Sequence, residues 1–68
     1  MRIRYDSDAD AMYITFRKAD VASTKKIDMH IIVDYDKKGN VIGVELLFVK
    51  ENNPDILREF QIENLVPA

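Results

Sequence analysis

The densest cluster of potential ligands is Asp6, Asp8 and Asp10, three carboxylates at alternating positions. Such a run opens a calcium loop of the EF-hand kind, which needs glycine at its sixth position and a bidentate carboxylate at its twelfth. Those positions hold Ala11 and Arg17. The segment therefore reads as a solvated turn whose short polar side chains satisfy their own backbone. His30 is the one histidine and there is no cysteine, so a zinc site would rest on a single imidazole and carboxylates. Asp28 and Asp34 share strand parity with His30, a geometry that permits a weak site if the strand is regular from 28 to 34. A surface or turn histidine is the plainer reading. Ser7, Thr15, Ser23 and Thr24 are the candidate nucleophiles. None lies at a strand-to-helix elbow or beside a glycine that would present an oxyanion hole. The two glycines, Gly39 and Gly43, flank one strand and form no phosphate loop. The expectation is a protein without catalytic residues, metal site or cofactor.

These side chains must be placed by strands. Ile3 and Tyr5 oppose Arg2 and Arg4, while Met12, Ile14 and Phe16 oppose Ala11, Tyr13 and Thr15, and period-two alternation of this kind marks half-buried strands. Residues 6–10 join them as a first hairpin. Met29, Ile31, Val33 and Tyr35 line one side of a later strand, and Ile42, Val44, Leu46 and Phe48 one side of the next. Between them Asp36-Lys37-Lys38-Gly39-Asn40 forms a tight loop in which Gly39 supplies a positive φ. Residues 21–27 have a polar middle, suited to an edge strand protected by lysines. At Asn52-Asn53-Pro54-Asp55 the cap, proline and acidic residue announce a helix, with Ile56, Leu57 and Phe60 on one face. The spacing predicts an α+β domain: a twisted antiparallel sheet of four or five strands, a meander of hairpins over residues 1–49, with one C-terminal helix and tail over 53–66.

The two sheet faces are unequal. One collects Ile3, Tyr5, Met12, Ile14, Phe16, Met29, Ile31, Val33, Tyr35, Ile42, Val44, Leu46 and Phe48, and is the expected core. The other carries Arg2, Arg4, Tyr13, Thr15, Ile32, Asp34, Val41, Gly43, Glu45, Leu47 and Val49, too apolar for a solvated surface and too charged for an interior. Tyr13, Ile32, Glu45, Leu47 and Val49 are its candidate partner-binding residues. Glu45 is expected to pair with Arg2 or Arg4, and Gly43 to leave room for a neighbouring group.

The 68 residues, of which 47% are hydrophobic and 32% charged, make one small domain. Folding would hide roughly 7,000 Å². Without disulfides, so small a core gains from a dimer or a partner. The net charge of −2 argues against nucleic acid as a primary ligand. Apolar runs are far shorter than a membrane span, and the first residues lack a signal-peptide pattern, so a cytoplasmic protein is expected.

Tyr5-Asp6, Ala9-Asp10-Ala11, Tyr13-Ile14, Val33-Asp34-Tyr35-Asp36, Gly39 and Val41-Ile42-Gly43-Val44-Glu45-Leu46-Leu47 occur in this order. This pattern resembles the small prokaryotic family called domain of unknown function 2283, over about residues 1–49. The resemblance implies a short β-rich protein without established activity. It also implies a protein-binding role, including that of an antitoxin-like partner of a small toxin-like protein. One departure is Asp28-Met29-His30, where relatives tend to have a glycine-containing turn; a turn here would make His30 a loop residue. The expected function is a non-enzymatic protein-protein interaction module, with a small-ligand or weak divalent-metal domain using Asp6, Asp8, Asp10, His30 or Asp34 as the alternative.

Overall fold

A strand pairs where its apolar positions meet apolar partners, and the most apolar segment therefore takes the centre. The computed structural model describes residues 1–59 and 61–63. Its strands are β1 (Arg2–Asp6), β2 (Ala11–Thr15), β3 (Ser23–Lys26), β4 (Ile31–Tyr35) and β5 (Val41–Leu47), followed by the helix α1 (Val49–Asn52). They form one five-stranded sheet in the order β1-β2-β5-β4-β3, antiparallel throughout. The α+β class holds, but the sheet is not a simple meander. β5 inserts between β2 and β4, setting Leu46 between Met12 and Ile31 and Val44 between Ile14 and Val33. β3, whose four residues are all exposed, goes to the far edge, and residues 16–22 carry the chain there.

The register resolves the two faces. The apolar rows are Tyr5-Met12-Leu46-Ile31 and Ile3-Ile14-Val44-Val33-Lys25. Alternation breaks once: Asp34 pairs with Gly43 but Tyr35 with Val41, a bulge that leaves Ile42 as the extra residue of β5. Val41 thus pairs with an apolar-face residue instead of continuing the mixed face. Ile42 is only 3% exposed, and its carbonyl accepts the N–H groups of Phe16 and Arg17 at 2.9 and 3.4 Å.

The core is small: Met12, Val33, Ile42 and Val49 are the buried apolar residues among those described. Phe16, Phe48 and Met29, expected inside, are exposed at 48, 45 and 69%; each lies just beyond the end of a strand.

The helix starts before its local signal. α1 is four residues long and ends ahead of Pro54. Asn53 has φ −138° and ψ 75°, away from helical values as a residue before proline prefers. Beyond it come turns, with Ile56 N–H on the Asn53 carbonyl at 3.0 Å and Arg58 N–H on that of Asp55 at 3.0 Å. Ile56 is half-buried and Leu57 is 49% exposed, so little packing is available to offset helix nucleation. Phe60 and residues 64–66 of the expected helix and tail lie outside the described residues.

Candidate functional site

Three aspartates near turns have defined structural tasks. Asp6 accepts the N–H groups of Asp8 and Ala9 at 3.0 and 3.3 Å, closing the first turn. Asp36 closes the β4–β5 loop by accepting from Lys38 and Asn40 at 2.9 Å each, and takes the Arg17 guanidinium at 2.6 Å. The Asn40 N–H above all holds its carboxyl below the usual carboxylate range. Asp28 accepts the His30 N–H at 2.7 Å in a bend at 28–30. The strand is therefore not regular from 28 to 34, and the parity that would group Asp28, His30 and Asp34 is lost.

Asp10 acts over a longer range than the sequence suggests. Its carboxylate accepts the Tyr5 hydroxyl at 2.7 Å and the N–H groups of Lys50 and Glu51 at 2.8 and 3.1 Å. Its carbonyl accepts from Val49 at 3.1 Å. It is the N-terminal cap of α1, supplied from 40 residues away, and does not close the first turn. Phe48, at the cap position, is left-handed at φ 54° and offers no side-chain cap of its own. The Lys50 N–H first, then the Tyr5 hydroxyl, hold the Asp10 carboxyl below its ordinary range. The same bond raises the Tyr5 phenol.

The mixed face is ordered as rows across the sheet. Arg4, Tyr13, Glu45, Ile32 and Lys26 make one, and Arg2, Thr15, Gly43, Asp34 and Thr24 the next. Gly43 does leave a gap, and Tyr13 fills it: a Cβ there would stand 2.8 Å from the phenol Cζ. Across the gap the Tyr13 hydroxyl donates to Asp34, whose other carboxylate oxygen accepts Thr24 Oγ1 at 2.6 Å. The hydrogen bond to Asp34, then burial, raises the Tyr13 phenol. Arg4 lies 5.9 Å from the Tyr13 ring centroid, a cation–π distance. Glu45 pairs with neither Arg2 nor Arg4: the ion pairs among the described residues are Arg17–Asp36 and Arg58–Asp55. The expected contact surface also loses Val49, which is 3% exposed because α1 turns it inward. Tyr13, Ile32, Glu45 and Leu47 are half-buried together on this face.

In these contacts the phenols of Tyr5 and Tyr13 donate and the carboxylates of Asp10 and Asp34 accept. Among the described residues no three His, Asp or Glu side chains converge as metal ligands. A cleft of about 330 Å³ lies beside Arg4, Asp6, Tyr13 and Glu45, and another of about 470 Å³ surrounds the Arg17–Asp36 pair.

A larger cleft, about 710 Å³, lies on the opposite face. Ile3, Met12, Ile14 and Leu46 form its floor, and Ile56, Leu57 and Ile62 its wall. The turns over residues 54–58 leave this face partly open.

The family model described as "Protein of unknown function (DUF2283)" matches residues 2–50, all five strands and the first two residues of α1. The chain belongs to the DUF2283 family. Neither a curated protein nor a solved structure gives a significant match. The DUF2283 match thus contains Asp10 and two of its α1 donors, Val49 and Lys50, whereas the third, Glu51, and the wall of the large cleft lie beyond it.

Proposed function

We propose that the chain is a non-enzymatic protein-interaction module that binds through the apolar face of its sheet. One observation supports this reading above others: a groove floored by Ile3, Met12, Ile14 and Leu46 remains open beneath Leu57 and Ile62, which are 49 and 68% exposed. Large apolar side chains clustered in this way mark contact surfaces. The mixed face is the smaller candidate. Its central polar groups, Tyr13, Asp34 and Thr24, are satisfied by one another, and its apolar content is Ile32 and Leu47 without Val49. An antitoxin-like role would be one form of this activity, acting by steric occlusion.

Paired substitutions test the assignment. Leu57→Asp should weaken association with the protein that co-purifies with the chain by at least about tenfold, as expected for a contact near an interface centre. Leu47→Asp should change it less. The reverse order would move the contact to the mixed face, and no effect from either would overturn the proposal.

A further inference from the structure

We infer that the occupant of the apolar groove is a second copy of this chain, the two sheets packing face to face. This inference rests on the interaction-module reading. Its first support is area. The chain exposes 5745 Å², whereas a compact protein of its mass exposes about 4,400 Å². The excess, about 1,300 Å² over the whole surface, leaves room for the roughly 800 Å² that each partner contributes to a standard interface. Exposed large side chains also line the groove itself: Met1, Ile3, Leu57 and Ile62.

The second support is the placement of charge. The apolar face is nearly neutral, with Lys25 at its β3 edge, in the row of Val33, and Glu59 at the opposite side, lining the groove by β1 and β2. A two-fold axis parallel to the strands lays the β1–β2 half of one sheet over the β4–β3 half of the other. That operation brings Glu59 of each copy toward Lys25 of its mate, twice per dimer. A C2 contact requires this self-complementarity of one patch with itself.

Sedimentation equilibrium of the full chain should give twice the mass of 7.9 kDa. Leu57→Asp should raise the dissociation constant at least about tenfold while circular dichroism keeps the sheet signal. Lys25→Glu or Glu59→Lys alone should raise it roughly fivefold, and the two together should restore it, a readout independent of whether Leu57→Asp folds. A wild-type chain that stays monomeric at millimolar concentration overturns the inference, as does a dimer indifferent to all these changes. A monomer holding a different protein in a Leu57-dependent way would overturn the second copy alone. A monomer whose bound protein ignores Leu57→Asp would remove the interaction surface as well.

Discussion

Gly43 and Tyr13 are one unit, because the phenol occupies the volume that a side chain at 43 would take. Gly43→Ala should therefore cost about 1–3 kcal/mol, the range for overpacking. The cost should shrink in a Tyr13→Ala background, a coupling that a double-mutant cycle of urea midpoints measures. The titrating residues set the pH limits of stability. Asp10 and Asp36 have folded pKa values below their ordinary 3.8. Their contribution is present above that value and lost as pH falls through the lower folded values. Tyr5 and Tyr13 are raised above 10.0, so theirs is present below 10 and lost as pH rises through the higher folded values. Thermal melts should show a plateau between these limits. Asp10→Asn should lower the plateau and flatten its acid side. Of these contacts, the sequence exposed only the gap at Gly43. Tyr13 lies 21 residues from Asp34, and Asp10 lies 40 from Lys50. Neither pair belongs to a local motif, so pairing had to be known first.

Among the elements, β5 has the most to lose. It pairs on both sides, and Ile42 at its bulge is nearly fully buried. Ile42→Ala should cost about 2–5 kcal/mol, against a small change for Ile27→Ala at the half-exposed end of the edge strand, both read from chemical denaturation. The strands were legible because a half-buried strand writes its environment into every second residue, and the β4–β5 loop because Gly39 takes φ 83°. Strand order was only half legible: alternation reveals which side a residue takes but not which strand lies beside it. The helix was misplaced for a related reason. Asn53 and Pro54 are sound starting signals, yet a start needs packing to propagate. The helix that does form begins at a left-handed Phe48 whose cap comes from another part of the chain.

The molecule as a whole measures 35 × 34 × 18 Å, closer to a plate than a ball. Its radius of gyration of 13.3 Å exceeds the roughly 11 Å expected for a compact chain of this length. A single sheet with four buried apolar residues among those described has little to set against chain entropy, and the proposed dimer would add to its stability. The melting temperature should accordingly rise with protein concentration, and scans over a hundredfold dilution series would show it. A concentration-independent melt would mean that the isolated plate suffices.

The rims of the plate bear on where the proposed assembly would stop. One border strand carries Arg2 and Arg4, the other Lys25 and Lys26. Any copy arriving side by side would set cations against cations while trying to extend the ladder. In the proposed dimer, stacking would satisfy the broad surfaces once while lateral growth was repelled at both margins, and the product would be self-limiting: a finite pair instead of a ribbon.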